Sequence, residues 1–469
     1  MQLGDILDDV SLDVVTSSLE ITRVENDSRR CEDGTLFFAM PGATRHGATF
    51  ARDAVAKGAS CVVADTNLKV SVPVIVVPSS QLNALLAHAS AVIVGHPETR
   101  VKMIGVTGTN GKTSVSAIVA SLARALAWNA SSIGTLTNER TTPAAPELYR
   151  TLADVVVAFT SSRKNSLVAL EVSSHALDQR RVEGLRFCVV AFTNLSHDHL
   201  DYHRTMEAYF AAKASLFTPE YAKRAVVWTD DEYGARLAES CTIPVSRVGR
   251  ADATDVVNSL RGSTFFWRGH LVNSPLVGDY NVDNALVAMA IMSTLGASER
   301  AIAAAMGEVA GVPGRFDVLH GRGVVVVVDY AHTPKGLERL LGDVRSLQGE
   351  GRLITVFGAG GDRDREKRPE MGRVVSALSD VTIVTSDNPR SESPDAIIDA
   401  VMAGVNPGAI VRRVRDRRGA IDVALKDARP GDVVVLAGKG HESTITTGDE
   451  VVPFDDRRVA LELLRSGGC

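Results

Sequence analysis

Cysteine is scarce and scattered: five residues in 469, Cys31, Cys61, Cys188, Cys241 and Cys469, none of them in a CxxC pair. That scatter offers no thiolate cage for zinc and predicts reduced thiols rather than a disulfide framework. No apolar run approaches the length needed to cross a bilayer, so membrane insertion is not expected. The opening residues, MQLGDILDDVSLDVV, are acidic and lack a basic leader, which predicts no secretory signal. Positive charge is not in excess either. The formal net charge of -5 leaves no footprint for nucleic acid. These absences together predict a cytoplasmic protein. A hydrophobic content of 45% and a charged content of 23% suit a globular chain, and the length implies about three domains.

What is present centres on VKMIGVTGTNGKTS, residues 101–114. The apolar run 103–106 predicts a buried strand, and an Ala-rich run, residues 115–127, predicts a helix. Between them lie Gly108, Thr109, Asn110, Gly111, Lys112, Thr113 and Ser114. Strand, glycine loop, Lys-Thr and helix form a phosphate cradle, in which backbone N–H groups and the helix N-terminus face the anion. Lys112 neutralises phosphate charge and the Thr113 hydroxyl is placed for magnesium. The GxxxxGK[ST] pattern is incomplete, because Val106 occupies its first glycine position. The expected activity uses ATP.

Downstream, LVALEV ends a buried-strand pattern on Glu171, at the strand end where a second magnesium ligand belongs. The alternative for Glu171 is a sheet-edge acid paired with arginine. Ser173, Ser174 and His175, then Gln179, Arg180 and Arg181, form a polar turn offering donors to an anion. The stretch TNLSHDHLDYH holds three histidines and two aspartates. With no sulfur ligand nearby, a hard, oxygen-bound ion suits it better than zinc, and His199 is the candidate imidazole ligand. Lys213 lies among apolar residues of a predicted helix, residues 206–217. A lysine on such a face also has the option of snorkelling to solvent.

The first hundred residues alternate short β-rich runs with Ala-rich helical stretches, a small α/β unit containing the polar cluster 25–30. GHPETR, residues 95–100, reads as a linker. From Phe316 onward, strand, glycine or polar turn and helix repeat. The strands expected at 323–328, 353–357, 381–385 and 433–436 each run into a chemical cluster: Asp329-Tyr330-Ala331-His332, residues 358–364, Asp387-Asn388-Pro389-Arg390, and Gly438-Lys439-Gly440-His441-Glu442. In an open parallel sheet these ends share one edge, where ligands bind.

GVTGTNGKTS, LEVSSHALDQRRVEG, TNLSHDHLDYH and YFAAKASLF, in this order and spacing, resemble the Mur ligases of peptidoglycan synthesis, nearest the MurE type that adds the third amino acid. The resemblance spans nearly the whole chain. It implies three α/β domains: residues 1–98 binding the UDP-sugar, 99–315 a P-loop ATPase-like parallel-sheet domain, and 316–469 a Rossmann-like domain for the amino acid. It further implies that Lys213 is carbamylated and joins a magnesium site with His199, a carbamate supplying the anionic oxygen that an ammonium lacks. Ser28, Thr141, Thr142, Ser173, Gln179 and Arg181 match contacts to the UDP-sugar dipeptide. Asn281 and Asn284 match an adenine-side motif before a helix at 285–295, with Tyr280 where Phe is more common. Arg315 matches a hinge residue that reaches ATP, and Asp329 an ATP-site residue. Asp387, Asn388, Pro389 and Arg390, with Arg363, Gly438 and Glu442, match a meso-diaminopimelate pocket.

The implied reaction is ATP-dependent amide ligation through an acyl phosphate, with magnesium, by a monomer. On its chemistry alone, His332 is a candidate for taking the amine's proton. L-Lysine or another diamino acid is the alternative amine. A folylpolyglutamate-synthetase-like ligase is a rival, though not expected to combine DNPR with GKGHE. A silent nucleotide-binding relative is the other, disfavoured by Lys112, Glu171, His199 and Lys213.

Overall fold

The computed structural model describes residues 1–42, 45–138, 140–159 and 165–466. The fold is mixed α/β, and its chain separates into two compact units, Met1–Arg250 with Val287–Ser298, and Ala251–Leu286 with Glu299–Cys469. No helix among the described residues is long and apolar enough to cross a membrane.

The first unit holds two parallel sheets. Strands β1 (Arg23–Glu25), β2 (Thr35–Phe38), β3 (Ala59–Ala64) and β4 (Val74–Val76) follow one another in that spatial order. Strands β5 (Lys102–Thr107), β6 (Asn129–Ile133), β7 (Ser166–Glu171), β8 (Val189–Phe192), β9 (Ala225–Trp228) and β10 (Val245–Val248) form the second, ordered 10-9-8-5-7-6. The chain leaves β5 toward β6 on one side and leaves β8 toward β9 on the other. The crevice between β5 and β8 is therefore a switch point, where open α/β sheets bind ligands. One hydrophobic core joins the two layers: Leu82, Leu86 and Ala89 of the helix Ser79–Ile93 pack in the same cluster as Leu148, Tyr149 and Leu152 of the helix Ala145–Val157. Arg150 from the second helix reaches back to Glu25, 2.9 Å away and only 2% exposed.

The second unit begins with an antiparallel meander, β11 (Ala253–Ser259), β12 (Gly262–Trp267) and β13 (His270–Ser274). Its larger sheet contains β14 (Asp317–Gly321), β15 (Val324–Asp329), β16 (Leu353–Phe357), β17 (Val381–Val384), β18 (Val411–Arg413) and β19 (Val433–Ala437), ordered 14-15-19-16-17-18. Only the β14–β15 pair is antiparallel. Side chains alternate with the strand period of two. Val327, Val433 and Val435 pack with Leu337 and Leu341 of the helix Pro334–Leu347. Val326, Val328, Val434 and Leu436 pack with Ile421 and Leu425 of the helix Arg417–Asp427 on the opposite face. Both faces being covered explains the near-continuous Val/Ile/Leu runs. A short hairpin, β20 (Thr444–Thr447) and β21 (Glu450–Pro453), completes the unit.

Element ends moved slightly from the sequence expectation. The helix after the cradle starts at Lys112, because Gly111 turns into it with φ 85°. The helix expected at 285 begins at Asp279, placing Asn281 and Asn284 in its first turns. Cys31, Cys61, Cys188 and Cys241 are free thiols; Cys469 lies outside the described residues.

Candidate active site

Strand register assembles the first cluster. Val106 pairs with Glu171 across β5–β7 and with Ala191 across β5–β8, so the loops after all three strands leave at one level. Gly108 must be glycine: its φ is 152°, and a Cβ there would lie 1.9 Å from Thr193 Oγ1. The loop is tied to the segment after β8 by Thr109 N–H to Asn194 O (2.8 Å) and Asn110 N–H to Asn194 Oδ1 (3.0 Å). The Thr193 hydroxyl donates to Asn110 O at 2.5 Å. Thr109 Oγ1 also lies 3.2 Å from the hydroxyl of Tyr209.

Thr113, second in the helix, donates its hydroxyl to Glu171 Oε2 at 2.8 Å. Thr135 donates its N–H and its hydroxyl to the same carboxylate, at 2.9 and 3.1 Å. No arginine pairs with Glu171, so the sheet-edge alternative does not hold among the described residues. Those residues contain no group of three His, Cys, Asp or Glu side chains able to hold a metal by themselves. The Thr113–Glu171 oxygens beside a helix N-terminus are a hard donor pair, which fits a magnesium ion completed by phosphate and water.

Lys213 does not snorkel. It is 1% exposed, and its ammonium donates to Gly108 O at 2.7 Å. Its nitrogen also lies 4.8 Å from the Tyr209 ring centre. Burial, and then the nearby Lys112 charge, pulls its pKa well below the ordinary lysine value. His199 has φ 52° and stacks edge-on against His175 at 4.9 Å and Tyr209 at 6.0 Å. His203, one helix turn on, sits 2.9 Å from Ser174 Oγ.

The residues expected at the dipeptide form one hydrogen-bonded group. Thr142 Oγ1 donates to Glu171 O (2.8 Å) and receives Ser173 N–H (3.0 Å), and Arg181 donates to Thr142 O (2.9 Å) and to Gln179 Oε1 (2.6 Å). Thr141 joins through Thr135 at 3.2 Å. Ser28 opens a separate turn, Ser28–Arg30, and no hydrogen bond links it to this group among the described residues.

In the second unit, Asp329, Ala437 and Phe357 stand opposite one another across β15, β19 and β16, and Phe357 opposite Val384 of β17. The four clusters after these strands therefore share an edge. Asp329 is buried and accepts the N–H groups of Phe316 (2.7 Å) and Ala331 (2.8 Å), with the Tyr280 hydroxyl at 3.5 Å. Its carboxylate thus fixes the segment carrying Arg315, whose guanidinium lies over the Tyr330 ring at 4.6 Å with Nε buried and without a hydrogen-bond partner among the described residues. Burial raises the Asp329 pKa, and the Arg315 charge offsets part of this. Asn281 is 2% exposed and donates to Val277 O at 2.8 Å; Asn284 is buried beside it. His332 Nδ1 lies 2.9 Å from Tyr330 O. A carbonyl only accepts, so Nδ1 carries the proton and Nε2 is the acceptor nitrogen.

The loops 358–361, 387–390 and 438–442 meet. Gly361 N–H donates to Asn388 O (2.9 Å), and Arg390 Nη1 to Gly361 O (2.6 Å). Asn388 Nδ2 donates to Glu442 Oε2 at 2.7 Å. Beneath them is a residue to which the sequence reading gave no role: Lys439, with no exposed surface, donates to Thr444 O (2.6 Å) and Glu442 Oε2 (3.3 Å). Arg390 N–H donates to Thr446 O and Gly448 N–H to Arg390 O, which clamps the β20–β21 hairpin to the loop. Arg363 is exposed, and its Cγ lies 3.8 Å from where a Cβ on Gly360 would be, on the glycine that Arg390 also flanks. Gly440 could carry no side chain, since its Cβ would meet Tyr330 at 2.7 Å and Gly314 O at 2.8 Å.

Three consecutive segments match families: residues 20–107 the Mur ligase family catalytic domain, 106–292 the Mur ligase middle domain, and 314–440 the Mur ligase glutamate ligase domain. A UDP-N-acetylmuramoyl-L-alanyl-D-glutamate--2,6-diaminopimelate ligase of Gloeobacter violaceus is 41% identical, covering 99% of this chain and 98% of the relative. A solved structure of a ligase with that name superposes with a TM-score of 0.69 at 31% identity, covering 100% of this chain and 99% of the other. The Mycobacterium tuberculosis folylpolyglutamate synthase, complexed with ADP and AMPPCP, superposes at 0.58 with 20% identity over 76% of this chain and 92% of its own, which is a likeness of fold alone.

Proposed function

The chain belongs to the Mur ligase family, and from that we propose an ATP-dependent ligase that adds meso-diaminopimelate to UDP-N-acetylmuramoyl-L-alanyl-D-glutamate. The observation that carries the choice of amine is the junction of Asn388 with Glu442, which brings two loops distant in sequence into one pocket beside Arg390. Its domains are 1–98, 99–315 and 316–469, and it works as a monomer in the cytoplasm.

The D-glutamyl carboxylate attacks the γ-phosphorus of ATP, forming an O–P bond as ADP leaves. The amine nitrogen then attacks the acyl carbon, and phosphate departs from the tetrahedral intermediate. Lys112 and the loop N–H groups hold the transferring phosphoryl group, a task of position and charge. Magnesium, when bound, would draw on Thr113, Glu171, His199 and a carbamylated Lys213, and would supply charge neutralisation at the phosphates. Lys213 supports that role because a buried, neutral-leaning amine is the form that adds carbon dioxide, losing a proton as the N–C bond forms. Thr141, Thr142, Ser173, Gln179 and Arg181, with Ser28, take the UDP-sugar dipeptide. Asn281, Asn284, Arg315 and Asp329 serve ATP. His332 Nε2 is the candidate acceptor for the amine's proton. Arg390, Arg363 and Glu442 meet the distal carboxylate and ammonium, with Asp387, Pro389 and Gly438 shaping the loops.

Phosphate release with the dipeptide substrate, ATP and each amine in turn tests this reading. Strong preference for meso-diaminopimelate over L-lysine is expected. Equal use of both would overturn the pocket, and no release with either would overturn the ligase.

A further inference from the structure

Lys439 lies on the turn after β19, between Gly438 and Gly440, and its side chain is fully buried. An ammonium has three N–H bonds to give and accepts none. All three find oxygens: Thr444 O at 2.6 Å, Glu442 Oε2 at 3.3 Å and Asn388 Oδ1 at 3.5 Å. The Asp387 carboxylate, 3.9 Å away, adds opposite charge. Burying a charge in this way is a poor source of stability, since apolar side chains of similar volume often hold such loops as well. What the charge does here is decide which way its neighbours face.

Asn388 Oδ1 also receives the Thr446 N–H at 3.0 Å. A backbone N–H and an ammonium only donate, so the amide stands one way round, with Nδ2 toward Glu442 Oε2 at 2.7 Å. Among the described residues, every hydrogen bond to the Glu442 carboxylate thus falls on Oε2, from Asn388 and from Lys439. Oε1 takes none, and it is not a buried atom: the side chain is 31% exposed. Two donors anchor one oxygen of the carboxylate and turn the other toward the open pocket.

We infer that Lys439 is a positioning residue for the choice of amine: it holds Glu442 by Oε2, so that Oε1 receives the ammonium at the far end of the diamino acid. The inference rests on the ligase reading above and adds to it a residue that touches no substrate. Arg390 is held by a different oxygen, Gly361 O at 2.6 Å. Recognition of the distal carboxylate therefore does not pass through Lys439, and the two halves of the distal group are read separately.

Phosphate release by the full chain with meso-diaminopimelate, and with 2-aminopimelate, which keeps the distal carboxylate but lacks the distal ammonium, tests this. Lys439→Met should raise the KM for diaminopimelate about tenfold or more, keep the KM for ATP within about twofold, and leave kcat/KM for 2-aminopimelate near wild type. Glu442→Gln should show the same pattern, and the double variant should lose no more than either single one. Lys439→Gln, which returns one donor, should fall between Lys439→Met and wild type. Equal losses for both amines, losses that multiply in the double variant, or an unchanged KM for diaminopimelate would each overturn the inference and leave the ligase standing. A wild type inert with diaminopimelate would overturn both. A crystal of wild type with diaminopimelate decides the case without any variant. The distal ammonium is expected on the Glu442 oxygen that Lys439 leaves free, with Lys439 still on the other; an ammonium seated in place of Lys439, or none on Glu442, counts against it.

Discussion

Lys112 and Lys213 donate to one acceptor: their ammonium nitrogens lie 2.9 and 2.7 Å from the carbonyl oxygen of Gly108. One carbonyl has two lone pairs and can serve both, but two cations so close repel. Lys213, the more buried, is the one whose pKa is pulled down, by burial and then by the Lys112 charge.

Lys112→Ala should therefore abolish ligation while circular dichroism and the melting temperature stay near wild type, because the side chain acts on phosphate and fills no core. Near-normal phosphate release from the folded variant would remove Lys112 from the mechanism.

Lys213→Ala should lose activity, with partial return when a small carboxylate is added to the buffer. Carbon-13 NMR of wild type in labelled bicarbonate should show a carbamate signal, absent in the variant. An active wild type with no such signal would rule the carbamate out.

Arg390→Ala should strand the distal carboxylate of diaminopimelate. Losing one side of a desolvated arginine–carboxylate contact costs roughly 2–5 kcal/mol, which is about 30-fold to several thousand-fold at roughly 1.4 kcal/mol per tenfold. The loss should appear in kcat/KM for diaminopimelate and leave the KM for ATP nearly unchanged. A variant that keeps the wild-type amine preference would contradict the pocket.

Arg417 and Asp456 form an ion pair with no exposed side-chain surface, and Arg417 also donates to Ser386 O (3.3 Å) and Ala437 O (3.0 Å). Removing one partner of such a pair costs about 3–5 kcal/mol, chiefly by stranding the other charge. Arg417→Met should lower the urea midpoint accordingly, and Arg417→Met with Asp456→Leu should recover part of the loss. A single variant as stable as wild type would show the pair to be energetically idle.

His441 should make stability pH-dependent. Burial, and then the Arg315 charge, pulls its imidazole from 6.5 down to about 4. Between those values the unfolded chain holds a proton that the folded chain does not, so stability is full above pH 6.5 and falls as pH drops toward 4. His441→Asn should flatten the urea midpoint over that window. Parallel profiles would assign the slope to other groups.

The strand, glycine turn and helix around Gly108–Lys112 were legible because their requirements sit in consecutive residues. Glu171 was legible as well, since a carboxylate closing an apolar run marks a strand end. The burial of Lys213 was not: its apolar neighbours suited a snorkelling chain equally, and only the tertiary position of Gly108 decides between them. Lys439 escaped for a similar reason. Its partners Thr444 and Glu442 are near in sequence, but Asn388, which binds the same Glu442, comes from the loop after β17. The meander β11–β13 carried a readable alternation, with Ser263, Phe265 and Trp267 buried and Thr264 and Phe266 exposed. The adjacent phenylalanines, one facing each way, masked it.

The core shared by the helices Ser79–Ile93 and Ala145–Val157 bears on how this protein can be cut for laboratory use. A fragment starting at residue 99 would bring Leu148 and Leu152 into water and deprive Arg150 of Glu25. Several fully buried aliphatic side chains at about 1.5–3 kcal/mol each outweigh the stability of most domains. Such a fragment is expected to precipitate or to bind hydrophobic dyes. Shortened versions for crystallography or screening should keep the amino-terminal layer whole.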